Sequence, residues 1–356
     1  MRAMQSDYMY WAKHQVPVRY PLSSSEVPHC RLDKFPIGIA ELQLDGASRY
    51  RDPPLRAAIA GKCGVTPDRV VMADGTSLAN MLALSALIAP GDDVLAEAPA
   101  YEPMVATASH CGATIRTFQR AGPDFALDPA AIEAAATPRT RVILLTNLHN
   151  PTGNLAAEDV LLEIGEIAAR RGAHVLIDEV YLDAAVPRQR SAAHLGDHFV
   201  TTSSLTKCYG LSGLRCGWII ASPELAERLW RLNELFGVAQ AHAAERLSLL
   251  ALERLSEIAA PLAALLERNR ILANGFFAGR DDLKCAPMTG GITAFPRLLR
   301  GDVEALNRLL RERYETSIVP GRFFGLADHF RLGVGQPTEL VEGGLERLGA
   351  ALDRLR

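Results

Sequence analysis

Residues 203–218 read SSLTKCYGLSGLRCGW, a polar and glycine-rich stretch that begins at the end of a predicted strand. Lys207 closely follows an apolar strand predicted for residues 200–203 and stands among Ser, Thr and Gly, an unusual setting for a surface lysine. A lysine that forms Schiff bases needs a site that lowers its pKa, through desolvation or a nearby cation. Arg215 can supply that cation, and Ser204 together with Arg215 can bind a phosphate group. We therefore interpret Lys207 as a reactive lysine beside an anion site.

Apolar strands and helices alternate along most of the chain. The predicted strands cover residues 70–72, 94–95, 142–146, 175–177, 200–203 and 217–221, and the helices include residues 55–61, 78–88 and 156–171. This alternation predicts a parallel sheet covered on both faces. Residues 223 to about 280 are predicted to be helical, with breaks near Gly237 and Pro261. Residues 285–356 mix short strands, at 291–295 and 330–334, with two helices.

The expected fold class is therefore α/β, with a large domain built on a mainly parallel sheet and a smaller α+β domain. A chain of 356 residues is at the upper limit of what one hydrophobic core supports. We place the large domain at residues 46–255 and assign residues 1–45 and 256–356 to the small domain.

Composition and charge argue against a nucleic-acid-binding, secreted, membrane or metal-binding protein. The net charge of −3 gives no basic field for nucleic acid, and no segment has the pattern of a signal peptide or a membrane span. The six cysteines lack CxxC or His–Cys spacing, so we interpret them as free thiols and expect no metal site. We expect a cytoplasmic protein with no nucleic-acid or membrane partner.

Polar motifs follow three of the predicted strands, where ligands bind in open parallel sheets. Residues 74–77 (DGTS) open a helix, which suits either an anion site or an ordinary helix cap. Residues 147–153 (NLHNPTG) taken alone are turn chemistry. Asp178 ends a strand, where it can cap the next element or pair with a buried cation, and Tyr181 follows three residues later.

These motifs belong to a larger set. It comprises DGTS (74–77), AYEP (100–103), HNPTG (149–153), DEVY (178–181), SLTK (204–207) and GLRCGW (213–218). In order and spacing the set resembles the class I/II aminotransferases, which are aspartate aminotransferase-like enzymes of pyridoxal 5'-phosphate (PLP) fold type I. The resemblance covers about residues 46–335. It implies PLP as cofactor, transaminase activity, and a homodimer whose active site is shared between subunits.

The resemblance also implies roles for the matched residues. Lys207 would hold PLP as a Schiff base and act as general base and acid. Asp178 would keep the pyridine nitrogen protonated, while Asn150 and Tyr181 would hydrogen-bond the ring 3-oxygen. The remaining cofactor contacts would come from Gly75, Thr76, Ser77, Ser204 and Arg215 at the phosphate and from Tyr101 stacking on the ring.

Two further residues concern the substrate and the partner subunit. Alternation along residues 330–334 separates Arg331 from the apolar face of that strand. By the resemblance, Arg331, with Asn150, would bind the substrate α-carboxylate; the alternative is a surface arginine on an edge strand. Tyr50 resembles the tyrosine that reaches the PLP phosphate of the neighbouring subunit, although the segment that follows it is shorter here than is usual in the family.

Three functions remain open at this point. The first is exchange of an amino group between an α-amino acid and a 2-oxoacid. The second is another PLP reaction on the same fold, such as β-elimination or amino-acid decarboxylation. The third is a PLP-binding sensory module. The sequence does not indicate which amino acid is used. We interpret His149 as structural, and the aromatic cluster Tyr8, Tyr10 and Trp11 as either a lid or plain packing.

Overall fold

The computed structural model of the protein describes residues 5–31, 37–42, 44 and 49–355. Its framework is one seven-stranded sheet. The strands are β1 (Val70–Asp74), β2 (Asp93–Ala98), β3 (Thr114–Gln119), β4 (Thr140–Thr146), β5 (His174–Asp178), β6 (Phe199–Ser204) and β7 (Cys216–Ile220). They lie in the order β1-β7-β6-β5-β4-β2-β3, and only β7 is antiparallel to its neighbours β1 and β6. The predicted α/β class with a mainly parallel sheet is confirmed.

Helices cover this sheet and continue beyond it. They are α1 (Asp7–His14), α2 (Pro53–Cys63), α3 (Gly75–Leu87), α4 (Glu102–His110), α5 (Pro129–Ala135), α6 (Glu158–Arg170), α7 (Pro223–Asn233), α8 (His242–Glu253) and α9 (Leu255–Ala278). Local signals set several ends. Asp52 caps α2 by accepting a hydrogen bond from the Leu55 N–H, and Gly64 ends the helix in the left-handed conformation. In α6, Leu161, Ile164 and Ala168 recur at helical spacing and are buried.

Of the two predicted helix breaks, one is confirmed and one is wrong. Residues 234–241 separate α7 from α8, as the glycine at 237 predicted. Pro261, however, lies inside α9, and the second break falls at Arg254, which ends α8 and begins α9. Pro261 has no N–H to bond the Glu257 carbonyl, but α9 continues through this position.

A second hydrophobic core lies in the C-terminal part. There β12 (Phe330–Gly333) is the middle strand of an antiparallel sheet with β9 (Thr293–Ala294) and β11 (Val319–Pro320), while β8 (Leu283–Lys284) pairs with β10 (Arg297–Leu298). The helices α10 (Val303–Tyr314) and α11 (Thr338–Leu355) pack on each other, and Leu22 joins this core. A division into domains at 46–255 and at 1–45 plus 256–356 stays a prediction.

The N-terminal segment links the two cores. The Gly333 N–H of β12 donates to the Leu22 carbonyl (2.7 Å), and the Val27 N–H donates to the carbonyl of Lys207 (3.1 Å). The segment therefore runs between the small sheet and the loop after β6. Among the described helices, none is long and apolar enough to cross a membrane.

Candidate active site

A cavity of about 420 Å³ opens at the carboxyl ends of the parallel strands, as expected for this sheet type. Its lining residues are Met9, Lys13, Glu26, Thr76, Ser77, Asn80, Tyr101, Thr146, Asn150, Asp178, Val180, Tyr181, Ser204, Thr206, Lys207, Ser212 and Arg215. The predicted site residues are thus brought together here except for Gly75, Arg331 and Tyr50. Their chemical roles stay predictions.

Lys207 projects into this cavity from the loop after β6. Its Nζ lies 3.4 Å from Glu26 Oε2. Burial opposes a charge on the amine, but Tyr181 and Glu26 outweigh it, so the pKa of Lys207 is raised above its ordinary value. The expectation that the site lowers this pKa, with Arg215 as the cation, is therefore wrong.

Asp178 is buried at the end of β5. Its Oδ2 accepts a hydrogen bond from Asn80 Nδ2 (2.8 Å), and its Oδ1 accepts one from the Val180 N–H (3.0 Å). Thr202 Oγ1 donates to Asn80 Oδ1 (2.6 Å), which fixes the orientation of the amide. Burial raises the pKa of Asp178 to about 6, although the Asn80 hydrogen bond acts in the opposite direction. Within the described residues no cationic side chain pairs with this carboxyl group.

Asn80 was missed in the sequence, although a signal was present. Thr76 and Asn80 are four residues apart on α3, so they lie on one face of the helix. That face meets the sheet at the cavity, because α3 packs against β6 and β7. The helical period therefore predicts that Asn80, one turn after the DGTS motif, faces the same site.

The start of α3 has the character of an anion site. Asp74 makes no capping hydrogen bond to the first turn among the described residues, so the alternative of an ordinary helix cap is not supported. Thr76 Oγ1 donates to Ser204 Oγ (2.9 Å), and Arg215 Nη2 donates to the Asp74 carbonyl (3.1 Å). Gly75 has φ +77°, and a Cβ there would overlap the Arg215 guanidinium. Two hydroxyls, a guanidinium and the first-turn N–H groups of α3 thus converge.

Arg331 lies behind the cavity wall, on the middle strand β12. It is only 1% exposed, which excludes the alternative of a surface arginine on an edge strand. Its Nη1 donates to Asn150 Oδ1 (3.0 Å) and its Nη2 to the Tyr8 hydroxyl (2.8 Å). Within the described part of the chain, its Nε has no hydrogen-bond partner and no carboxylate lies within 4.0 Å of the guanidinium. A buried cation is thus left without an acid.

Two tyrosines line the cavity, and one histidine lies buried beside Asn150 without lining it. Tyr101 lies at the start of α4, and burial raises the pKa of Tyr101 well above its usual value, as it also raises that of Tyr181. His149 is buried with Nδ1 at 2.7 Å from Thr152 Oγ1, and burial holds its pKa well below the usual value. A neutral, doubly hydrogen-bonded imidazole supports the structural interpretation of His149.

Tyr50 lies away from the cavity of its own chain. Its side chain is 44% exposed, and its hydroxyl donates to the Glu234 carboxylate. Its ring packs edge-on against Trp230, with centroids 6.0 Å apart. The position neither tests nor contradicts a role toward a neighbouring subunit.

The N-terminal segment contributes groups that the sequence did not indicate. Helix α1 brings Met9 and Lys13 to the cavity and Tyr8 to Arg331, and the following extended segment brings Glu26 to Lys207. The sequence shows the aromatic cluster but not that Arg331 is the partner of Tyr8. No local pattern around Glu26 indicates a site.

Comparisons with known proteins agree with this geometry. The family described as aminotransferase class I and II matches residues 38–348. Capreomycidine synthase from Streptomyces vinaceus is 32% identical over 332 residues, covering 90% of this chain and 85% of that protein. A histidinol-phosphate aminotransferase from Sphingopyxis alaskensis is 34% identical over 232 residues, covering 62% of this chain and 61% of that one. The crystal structure of the PLP-dependent cyclase OrfR superposes with a TM-score of 0.89 at 26% identity, covering 99% of this chain and 98% of that one.

The predicted resemblance, the PLP fold type I architecture and the PLP cofactor are confirmed by these matches. The matched family spans nearly all of the chain, including every strand of the large sheet and the strand that carries Arg331. The chain therefore belongs to the class I and II aminotransferases, a family of PLP-dependent enzymes, and is itself an enzyme of the transaminase class.

Proposed function

We propose that the protein exchanges an amino group between an α-amino acid and a 2-oxoacid, with Lys207 as the lysine that binds PLP. The observation that carries this proposal is the buried guanidinium of Arg331, which has no carboxylate partner in the described chain. Burying an unpaired charge costs several kcal/mol. Both substrates carry a carboxylate beside the reacting carbon, and that group would provide the missing partner in a bidentate geometry.

The chain's residues fit PLP. The hydroxyls of Thr76 and Ser204, the Arg215 guanidinium and the start of α3 suit a phosphate dianion. The carboxyl group of Asp178, buried without a cation in the described chain, suits a protonated ring nitrogen, which would offset the burial that raises its pKa to about 6. When bound, PLP supplies an electron sink for negative charge at the carbon that bears the amino group.

The protein's own contribution is to orient groups and to hold protons. Asn80 fixes the Asp178 carboxylate, which would hold a proton on the ring nitrogen. Asn150 and Arg331 are linked by a hydrogen bond, so the group that holds the substrate carboxylate is tied to one that faces the cavity. Lys207 Nζ would take the proton from the substrate's α-carbon and return it elsewhere, as a general base and then acid.

A spectroscopic titration tests the proposal. The purified protein with PLP is expected to absorb in the visible range and to lose that band when one amino acid of a panel of twenty is added. A 2-oxoacid should restore the band, because transamination proceeds in two half-reactions. A band that an amino acid removes but that no 2-oxoacid restores would contradict amino-group exchange. A band that none of the twenty removes would mean an unusual amino acid as substrate, or a lyase or decarboxylase reaction.

A second candidate is ring closure or elimination on an amino acid. It is supported by the similarity to capreomycidine synthase over 85% of that protein and by the likeness to the PLP-dependent cyclase. Such a reaction leaves no amino group on the cofactor, so it requires no 2-oxoacid acceptor. Product mass distinguishes the two candidates: a product formed catalytically without any acceptor supports the second and contradicts the first.

We also propose a homodimer in which Tyr50 reaches the cofactor of the neighbouring subunit. The exposed Tyr50 lies near a segment with further exposed apolar side chains, Leu235, Phe236 and Val238, which suits burial in an interface. Light scattering on the purified protein tests the dimer; a monomer with full PLP occupancy would contradict it. The cytoplasmic location stays a prediction from the sequence.

A further inference from the structure

Glu26 is an acidic residue of the cavity that belongs to none of the sequence motifs described above. Its Oε2 lies 3.4 Å from Lys207 Nζ, and the side chains of both residues are about one-third exposed (30% and 31%). Among the described residues, it is the one carboxylate within 4.0 Å of this amine. Both residues line the cavity, so the contact lies inside the proposed site.

The position of Glu26 is fixed by its neighbours on both sides. The Val27 N–H donates to the Lys207 carbonyl (3.1 Å), which ties the segment to the loop of the lysine. Gln336 Nε2 donates to the Glu26 carbonyl (3.0 Å), and a Cβ at Gly335 would overlap that same carbonyl oxygen. Main-chain contacts with two distant parts of the chain therefore set where the carboxylate meets Nζ.

We propose that Glu26 is a positioning residue that holds the Nζ of Lys207 and stabilises its positively charged form. The inference rests on the proposed function in one respect, namely that Lys207 is the lysine that binds PLP. A carboxylate this close to a nitrogen favours the protonated state of that nitrogen. The effect would apply both to the free amine, after it has accepted a proton, and to the nitrogen bonded to the cofactor.

Other groups around Nζ do not replace this contact. The titratable and charged groups that surround it are Lys13 and Tyr8 from α1, Tyr101 from α4, Asp178 and Tyr181 after β5, Arg331 from β12, and Arg215. Asp178 is the other carboxylate, and its two oxygens already accept from Asn80 and from the Val180 N–H. Arg331 acts against a charge on Lys207. Glu26 and Tyr181 act in favour of that charge, and of the two only Glu26 is a carboxylate.

The test is a pH titration of the visible absorbance of the PLP-loaded protein. Replacing Glu26 by Gln keeps the shape and removes the charge, so the midpoint of the titration is expected to fall by on the order of one pH unit. Glu26→Asp keeps the charge but places it farther from Lys207 Nζ, so a smaller fall of the midpoint is expected. The matched control is Glu257→Gln, an exposed residue on α9 that pairs with Arg254 and does not line the cavity; its midpoint should equal that of the unaltered protein.

The outcomes separate this inference from the proposed function. A Glu26→Gln protein that keeps the visible band with an unchanged midpoint overturns the role of Glu26 and leaves the function standing. A Lys207→Ala protein that still shows a titrating band overturns the assignment of the lysine itself. If the Gln variant does not bind PLP, the Asp variant decides: its midpoint must fall, and an unchanged value overturns the inference.

Discussion

Two regions of the chain line the cavity, and they differ in what fixes their side chains in place. The loops at the ends of β1, β4, β5 and β6 carry short motifs whose geometry follows from the strand that precedes each one. The N-terminal residues 5–27 form one short helix and an extended segment, and their side chains meet the site only through contacts with distant parts of the chain. Tyr8, for example, contacts Arg331, 323 residues away in the sequence.

The two regions are therefore expected to have different roles. The strand-end loops would carry out the reaction, and the N-terminal segment would set the substrate affinity and the pH dependence. The strand-end loops hold the lysine, the carboxyl group and the anion site, which any reaction with PLP requires. The N-terminal segment touches the two basic groups, Lys207 and Arg331, at the nitrogen atoms that would meet proton and substrate. We expect substitutions in the first region to abolish turnover and those in the second to shift affinity or pH dependence.

The largest effect is expected at Lys207. Lys207→Ala removes the amine that we propose binds PLP and transfers the proton, so kcat should fall by about 10⁴-fold or more. The fold should persist, which circular dichroism and thermal unfolding of the variant can check. A variant with near-normal turnover would remove the main distinction between the two regions.

Asp178 offers a test with a pH dependence. Its pKa in the folded protein without PLP is raised by burial from 3.8 to about 6, so its contribution to stability is fully present below pH 3.8 and is lost as the pH rises through 6. The loss is up to about 3 kcal/mol. In Asp178→Asn this part of the dependence should vanish, although one hydrogen bond is also changed.

Urea unfolding of the PLP-free proteins at several pH values measures this slope, with the unaltered protein as control. If the free energy of unfolding depends on pH equally in the two proteins, then burial does not raise the pKa of Asp178. In the PLP-loaded state the same variant should lose about 10²–10³-fold in kcat, since a preorganised charge is removed. A variant with more stable apoprotein and poorer turnover would mark Asp178 as a residue kept for function.

Arg331→Ala should raise KM for the amino acid and for the 2-oxoacid by about 10²-fold, through loss of a bidentate pair worth about 3 kcal/mol. Arg331→Lys is the matched control, because it keeps the charge but not the two parallel donors. The KM of the Lys variant should lie between those of the unaltered protein and of the Ala variant. An unchanged KM in the Ala variant would assign the carboxylate to another group and weaken the proposed function.

The sequence predicted the first region well, for physical reasons that differ from element to element. Buried strands such as β4 and β5 are continuous apolar runs. In contrast, β3 lies at the sheet edge, is half exposed, and was missed. The site motifs follow these strands directly, so their placement needs no long-range information. The neighbours of Glu26 and Tyr8, by contrast, lie 181 and 323 residues away, and no local period encodes such contacts.

The smallest effect is expected from Tyr8→Phe. The variant keeps the ring among Tyr101, Phe323 and Phe324 and removes only the hydroxyl that meets Arg331 Nη2. Because that hydrogen bond orients a charged group, its loss should raise KM for the amino acid about tenfold and leave kcat nearly unchanged. Steady-state kinetics with both substrates measures the change.

The control for this experiment is Tyr10→Phe, because Tyr10 lies on the same helix, is 67% exposed and stacks on His14. Its kinetic constants should equal those of the unaltered protein. A lower KM in Tyr8→Phe would mean that the tyrosine hydroxyl occupies the position of the substrate carboxylate and has to leave before binding. In that case the N-terminal segment would compete with the substrate at Arg331. Tyr8 would then oppose substrate binding and would not orient Arg331 for it.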